Sequence, residues 1–347
     1  MTKSGEMAWL DAIEASKNGD YDSALESAKD VVHIDPGHSD AWMAIANWSL
    51  PPKTRGKPAH PSLQQSARAV AAVRKVVTID PDNTEAWILG GWLLVDQLGM
   101  LDEAIAWWES YREHRPTDVT PLIEQISILV NLGLYEECAD RLNELSAEQM
   151  DAPSNEQAMK MDGIRRMVER AAKMEADEIF KPQNHKHPRW GVIEKMKKVK
   201  PISSTFWLIM FIAPIVFIFG TLAMTFLGDS VFGTILVFML ILAMFAFLTR
   251  ASMGMLQKRN RHALDMDRAI DMETTSGKLC IPDSIRYSTV YNSMLTKRSP
   301  SLQSRLGHVI EANEKINRLW EINLPNWSNI EEDENYTDID EDLPPLD

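Results

Sequence analysis

The chain has little cysteine and no concentration of metal-binding residues. Its 347 residues include 2 cysteines, Cys138 and Cys280, so a disulfide framework is excluded and a reducing compartment fits. The 8 histidines are scattered apart from His185 and His187, which have no Cys or acidic neighbour at ligand spacing. We therefore expect no metal site and no other cofactor.

Catalytic sequence motifs are also missing. The chain has no phosphate-binding glycine loop, no HExxH, no paired CxxC and no nucleophile elbow. Its net charge of −14 argues against nucleic acid, because such binding depends on Lys and Arg that neutralise phosphates. We expect a protein that is not an enzyme, has no catalytic residue and does not bind nucleic acid.

Charge is distributed unevenly along the chain. Residues 331–347 carry nine carboxylates and no base, whereas residues 181–200 carry seven Lys or Arg and one Glu. We expect 326–347 to be a disordered, solubilising acidic tail; the alternative is a docking strip for a basic protein or for the chain's own basic segment. Residues 1–7 lack the apolar core of a secretory signal, so the N-terminus is expected on the cytosolic side.

Three segments in the N-terminal half end alike. They are Ile34-Asp35-Pro36, Ile79-Asp80-Pro81 and His114-Arg115-Pro116, each after a helical pattern. A second recurring element is a glycine before a new helix, at Gly19, Gly99 and Gly133. Glycine accommodates the turn between two helices, and proline ends the second helix of a pair. Such internal repetition predicts a helical solenoid.

This pattern resembles the tetratricopeptide repeat family. The resemblance implies four helix pairs, at about 5–38, 39–83, 84–118 and 119–150, with a loop insertion at 51–61. Aromatic helix starts recur at Trp42 and Trp87. The first repeat departs from the family in having Ala8 where Trp is usual, and the fourth has Leu122 there and no clear closing proline.

The resemblance also implies that a partner protein or peptide binds in a concave groove formed by the first helix of each pair. The groove positions are Trp9, Ile13, Met43, Asn47, Ile88, Trp92, Asp96, Ile123, Ser127 and Asn131. The family's clamp for a C-terminal carboxylate needs cations, and the matching positions hold Trp9, Ile13, Ala44, Glu85 and Leu89. An apolar, mildly acidic groove suits an apolar or basic segment; the alternative is that the apolar positions only pack between repeats.

A long apolar block separates the repeats from the C-terminal part. Ile202–Leu227 has no charge in 26 residues and Val231–Thr249 has none in 19, with a break at 228–230. At ~1.5 Å per residue each can cross a hydrocarbon core of ~30 Å. A buried core hairpin would need a large surrounding domain, and a pore would usually carry an ionisable residue. The pattern therefore favours a transmembrane hairpin, with spans 202–227 and 231–250, that serves as an anchor.

Basic residues flank this block on both sides. They are Lys195, Lys197, Lys198, Lys200, Arg250, Lys258 and Arg259. By the positive-inside rule both ends face the cytosol, so we expect a two-span protein of the cell membrane with cytoplasmic termini. The same residues lie at the membrane interface and can contact anionic lipid head groups.

The segments around the hairpin complete the expected all-α architecture. Residues 151–180 are predicted to contain a helix, Asn155–Phe180, that caps the solenoid or else serves a partner; 181–201 is predicted to be a basic juxtamembrane linker. Residues 251–325 are expected to be cytosolic and helical, with the second span continuing toward Gly277 and a further helix at Leu302–Ile322.

Two functions fit this organisation. One is a membrane-anchored adaptor or scaffold that binds a partner protein or peptide in the repeat groove. The alternative is an integral subunit of a membrane assembly for insertion, secretion, fission or envelope assembly, whose hairpin packs against other membrane proteins. A third hypothesis, membrane shaping by a short wedge, fits less well because both spans are long enough to cross fully.

Overall fold

Helices joined by short turns form the described chain. The computed structural model describes residues 5–52, 59–146, 150–174, 178–325 and 327. The chain divides into two compact units. We call them the repeat domain, Met1–Lys173 with Trp320–Asp347, and the hairpin domain, Met174–Leu319. The predicted all-α fold, a helical solenoid with an apolar hairpin, is confirmed.

Nine helices of the repeat domain lie in the described residues. They are α1 Gly5–Lys17, α2 Tyr21–Ile34, α3 Ser39–Ser49, α4 Leu63–Ile79, α5 Thr84–Trp92, α6 Leu101–His114, α7 Val119–Leu132, α8 Tyr135–Glu144 and α9 Asn155–Ala171. Helix α5 continues into a π-helical turn, Leu93–Leu98. Each of the four segments that the sequence marks as repeats contains two of these helices, and α9 packs on α7 and α8.

The Asp-Pro and Arg-Pro segments form the same turn between repeats. The backbone N–H groups of His38, Asn83 and Asp118 each donate to the carbonyl oxygen three residues earlier, at 3.2 Å in all three turns. The side chains of the same three residues then accept a backbone N–H and cap the next helix. The same turn and the same helix cap therefore recur three times, and this repetition keeps the stacking of the helix pairs regular.

Turns within the pairs depend on glycine. Gly19, Gly99 and Gly133 have φ of 79°, 61° and 83°, a left-handed conformation that penalises a Cβ. Alanines then allow close helix crossings, since Ala24, Ala69 and Ala104 are fully buried. The second pair has the insertion in place of the glycine turn, and residues 53–58 of that insertion lie outside the described residues.

A short C-terminal segment also belongs to the repeat domain. Ile322, Leu324 and Trp327 pack against its hydrophobic core. The Trp327 ring lies 4.0 Å from the guanidinium carbon of Arg141 on α8, a cation–π contact. Residue 326 and residues 328–347 lie outside the described residues, so the expected disordered tail is not tested.

The hairpin domain contains six helices in the described residues. They are α10 Pro188–Met196, α11 Ser204–Leu227, α12 Val231–Arg259, α13 Arg261–Ser276, α14 Thr289–Leu295 and α15 Pro300–Ala312. Helices α11 and α12 pack on each other, and α10, α14 and α15 each contact α13. Five-residue π geometry at Leu208–Ile212 precedes Pro214 in α11, which lets the helix accommodate a residue without a backbone N–H.

Three sequence-based boundaries are wrong. The second apolar helix, expected to continue toward Gly277, ends at Arg259, and a separate helix begins at Arg261. The helix expected at Asn155–Phe180 ends at Ala171. The one expected at Leu302–Ile322 ends at Ala312, because Asn313 adopts a left-handed conformation (φ 51°). The chain after Asn313 is then extended, and Lys315 forms a bridge with Leu279.

The expected basic linker at 181–201 is partly a folded element. It contains α10, whose Trp190 and Ile193 are buried. Arg189 binds both carboxylate oxygens of Asp265 on α13, with Nη2 2.7 Å from Oδ1 and Nε 2.8 Å from Oδ2. The charge of this segment predicted a linker and gave no sign of the helix, because the lysines at 195–200 come after the buried Trp190 and Ile193.

Candidate functional site

A cavity of about 680 Å³ opens between α3, α5 and the insertion of the second repeat. We call it the α3–α5 cavity. It is lined by Tyr21, Asn47, Trp48, Leu50, Pro51, Pro52, Ala59, Pro61, Glu85, Ile88, Leu89 and Trp92. A concave, largely apolar pocket with a few polar groups is the usual form of a binding site.

The two faces of α5 explain why apolar side chains reach this cavity. Trp87 and Gly91 face the core and are buried. Ile88 and Trp92, four residues apart on the opposite face, are 50% and 39% exposed. Residues at i and i+4 share one side of a helix. Helix α5 therefore offers an apolar edge that the repeat domain itself leaves uncovered.

Glu85 is the one ionisable residue with a charge at neutral pH among the described residues that line the cavity. It lies one helical turn before Leu89 and is exposed. Asn47 adds an amide that can donate and accept hydrogen bonds. The lining therefore suits an apolar or positively charged segment better than a carboxylate.

The structure brings together three of the ten predicted groove residues. Asn47, Ile88 and Trp92 line the α3–α5 cavity. Trp9 instead stacks on Trp48, with ring centroids 6.4 Å apart and planes at 27°. It thereby supports a wall residue of the cavity from behind.

The other predicted groove residues are spread along the solenoid. Ile13 and Met43 are half-buried, while Asp96 and Asn131 are exposed. The half-buried Ser127 donates its hydroxyl to the Ile123 carbonyl oxygen at 2.6 Å. Ile123 itself is 1% exposed, so its side chain belongs to the core and does not reach a surface groove.

Sequence reasoning missed the contribution of the insertion. Pro51, Pro52 and Pro61 form one wall of the cavity, although the pattern marked them only as a loop. Proline needs little additional ordering because its φ is already fixed. The signal available in the sequence was the concentration of prolines in a segment that directly follows an aromatic helix end at Trp48.

A buried ionic cluster joins repeats three and four. Glu109 accepts from Arg112 at 2.8 Å and from the Gln125 amide at 2.7 Å. Arg141 lies 3.7 Å from the same carboxylate and 2.7 Å from Glu144. Burial raises the pKa of Glu109, but the hydrogen bonds and the two guanidinium groups lower it further, so its pKa lies below the ordinary value. The cluster holds the helix pairs in register, with Arg141 and Glu109 largely shielded from solvent and Glu144 at its partly exposed edge.

The reactive side chains of the described chain occupy structural positions. Cys138 and Cys280 are buried, and burial raises the pKa of the Cys138 thiol to about 12. His187 caps α10 by accepting the Arg189 backbone N–H, and its other ring nitrogen lies 3.1 Å from the Ile179 carbonyl oxygen. Among the described residues no group of three His, Cys, Asp or Glu could hold a metal ion.

Helices α11 and α12 are long and apolar enough to cross a membrane. Their mean hydropathies over the most apolar 18 residues are 2.4 and 2.8, and only 22% and 11% of those residues are buried. A core helix of a soluble protein would be mostly buried. Phenylalanines are prominent on this surface, with Phe217 71% and Phe226 76% exposed. Gly220 lets the two helices approach, because a Cβ there would meet Ile241 at 2.8 Å.

The predicted interface cations lie on both sides of the apolar pair in the sequence, before α11 and in the last turns of α12. Before α11, Lys195, Lys198 and Lys200 are exposed. Lys197 is engaged, donating to Glu194 at 2.6 Å and to the Ser284 carbonyl oxygen at 2.9 Å. Arg250, Lys258 and Arg259 are exposed on the last turns of α12.

Comparison with known proteins assigns this chain to no family. No protein-family model matches the sequence, and no curated protein matches it. Among solved structures, one described as the crystal structure of MamA protein aligns with 12% identity and a TM-score of 0.33. The alignment covers 50% of this chain and 90% of that chain.

Proposed function

We propose that this protein is a membrane-anchored interaction scaffold. Its repeat domain binds a segment of a partner protein in the α3–α5 cavity, while α11 and α12 hold the complex at the bilayer. The observation that carries this proposal is the exposed apolar edge of Ile88 and Trp92 inside a cavity of about 680 Å³. Exposed aromatic residues in a well-formed pocket are typical anchors of protein recognition.

The chemistry of the lining favours an extended partner segment with apolar or proline residues and a nearby Lys or Arg. Trp48 and Trp92 provide flat faces on which proline rings can stack, as in aromatic grooves that recognise polyproline helices. Glu85 would pair with the basic residue. The absence of a cation among the described lining residues disfavours a free C-terminal carboxylate.

The anchor proposal rests on length, composition and exposure. Burial of the exposed apolar side chains of α11 and α12 in lipid is favourable by about 25 cal/mol for each Å² of apolar surface removed from water. Several hydroxyls within the spans bond to backbone, as when Thr225 donates to the Thr221 carbonyl oxygen at 2.9 Å, which lowers the cost of placing them in lipid. The flanking lysines and arginines favour a two-span protein of the cell membrane with cytoplasmic termini.

A site-directed photocrosslinking experiment tests the scaffold proposal in native membranes. A photoreactive amino acid replaces Ile88 in the full chain, and Met159 on α9, 72% exposed and outside the cavity, is the matched control site. We expect a protein crosslink from position 88 that Trp92→Ala reduces about tenfold and that position 159 does not give. Equal crosslinking from both positions would mean that the cavity is not the binding site.

The subunit alternative has one observation in its favour. An apolar cavity of about 400 Å³ lies beside Gly220, between α11 and α12, where another transmembrane helix could pack. Replacement of residues 202–250 by an unrelated hairpin distinguishes the scaffold hypothesis from the subunit hypothesis. A scaffold keeps the position-88 crosslink with the foreign hairpin, whereas a membrane-assembly subunit loses its membrane partners.

A further inference from the structure

A second cavity lies where α11 begins and α12 ends. It measures about 650 Å³ and is formed by the chain before α11, by residues just after α12 and by residues around α14. Lys200 and Lys297 line it, and none of the described lining residues is acidic. In a chain of net charge −14, a cavity with two cations and no carboxylate marks a local positive potential.

Three contacts hold the walls of this cavity in place. Asn260 donates its amide to the Ile202 carbonyl oxygen at 2.7 Å and accepts the Ile202 backbone N–H at 3.0 Å. The Val290 backbone N–H donates to the Lys197 carbonyl oxygen at 3.0 Å. These bonds tie the entry of α11 to the end of α12 and to the start of α14. The cavity is therefore preformed and needs little ordering to bind a ligand.

Hydrogen-bond donors surround the two lysines. Hydroxyls of Ser203 and Thr289 line the same cavity, and the Asn292 amide, which donates one N–H to the Tyr287 carbonyl oxygen at 2.9 Å, has a second N–H to donate. Ammonium groups with hydroxyl and amide donors are the groups that hold a phosphate. The polar side of the cavity thus matches a phosphate monoanion or diester.

We propose that this cavity binds the phosphate head group of an anionic phospholipid. The proposal rests on the proposed insertion of α11 and α12 in a bilayer. Ile202 and Leu264 continue the wall beside the lysines, and Leu264 is 51% exposed. A soluble anion would leave these side chains in water, whereas the glycerol and upper acyl groups of a lipid cover them. The cavity, at about 650 Å³, is also larger than an inorganic phosphate. It lies beside the start of α11, a helix that has no charged residue.

Native mass spectrometry of the full chain in a neutral detergent tests the site by titration with phosphatidylglycerol and, separately, phosphatidylcholine. We expect one phosphatidylglycerol to be retained in preference to phosphatidylcholine. The pair Lys200→Gln with Lys297→Gln should weaken this binding about 30-fold, the combined effect of two juxtamembrane lysines. The matched control, Lys17→Gln with Lys75→Gln, removes the same charge from exposed positions of the repeat domain and should change binding less than threefold.

Several results would overturn the proposal. They are an equal loss in the control pair, equal retention of phosphatidylcholine, and displacement of the lipid by millimolar inorganic phosphate, which would indicate a site for soluble anions. If circular dichroism shows that the double variant loses helicity, Lys297→Gln alone at its exposed position replaces it, with an expected loss of about fivefold. Lys200→Arg with Lys297→Arg should retain binding.

Flotation with vesicles separates this proposal from the anchor proposal. A chain that fails to float with phosphatidylcholine vesicles contradicts the membrane anchor itself. A chain that floats with them but shows no preference for phosphatidylglycerol contradicts only the head-group site.

Discussion

Trp107 of α6 lies directly against Gly90 of α5, and its indole Nε1–H donates to the Trp87 carbonyl oxygen at 2.8 Å. A Cβ built on Gly90 would come within 2.3 Å of the Trp107 ring. The helix that carries the exposed edge of the α3–α5 cavity is therefore positioned by a contact that only glycine permits.

Gly90→Ala should destabilise the repeat domain by about 1–3 kcal/mol, because the buried indole cannot move away without losing its hydrogen bond. Gly163→Ala on α9 is the matched control, since a Cβ there meets nothing within 4 Å. The control should be neutral or stabilising by up to about 1 kcal/mol, from better helix propensity. Urea unfolding of the full chain in detergent measures both; similar midpoints would show that Trp107 gives way.

Trp92→Ala combined with Asn47→Ala should abolish partner capture at the α3–α5 cavity and leave the repeats folded. Both side chains are exposed, so their truncation should change unfolding free energy by about 0.5 kcal/mol or less each. Crosslink yield from position 88 reports capture, and circular dichroism reports folding. Met159→Ala, an exposed apolar truncation elsewhere, should keep full yield; undiminished yield in the folded double variant rules out the cavity.

The Glu109 cluster predicts that the repeat domain loses stability in acid. The pKa of Glu109 is lowered from 4.5 in the folded chain, so its contribution is present above about pH 4.5 and is lost as the pH falls through the folded-state pKa. Glu109→Gln should therefore lower stability at pH 7 and flatten the pH dependence below pH 4.5.

Glu124 provides the matched control for that experiment. Its carboxylate pairs with Lys160 at 3.0 Å on a more exposed surface, where an ion pair contributes little. Urea midpoints measured at pH 7, 5, 4 and 3 should follow the wild type for Glu124→Gln. A Glu109→Gln curve parallel to wild type would mean that the cluster does not titrate in this range.

The hairpin predicts that its two ends lie on one side of the membrane and its turn on the other. Because Cys138 and Cys280 are buried, the wild-type chain should react slowly with a membrane-impermeant maleimide. In sealed vesicles, Lys198→Cys and Lys258→Cys should be labelled from the same side, and Asp229→Cys only from the other. Labelling of all three from one side would contradict a full crossing.

The sequence anticipated elements whose cause is local. Glycine turns at Gly19, Gly99 and Gly133 depend on one residue type at one position, and charge-free runs define α11 and α12 by length alone. Helix ends set by tertiary contacts were missed. Asn313 stops α15 although Ile316 continues an apolar helical pattern, because Ile316 donates its N–H to the Leu279 carbonyl oxygen instead.

The sites were harder to predict than the fold. Asn47, Ile88 and Trp92 could be found from helical register, but Pro51 and Pro61 reach the cavity through a loop whose path no periodicity describes. Lys200 and Lys297 are 97 positions apart in the sequence, and only the packing of α14 near the start of α11 brings them to one cavity.

The return of Ile322, Leu324 and Trp327 to the repeat domain sets an order of assembly. These three residues are synthesised after α12, so they can reach α8 only once both apolar helices have left the ribosome. The earlier repeats can fold during synthesis, as N-terminal parts of a chain generally do. The Arg141–Trp327 contact can therefore form only after both apolar helices have been made, so the hydrophobic core of the repeat domain is completed by residues that are synthesised last among those described.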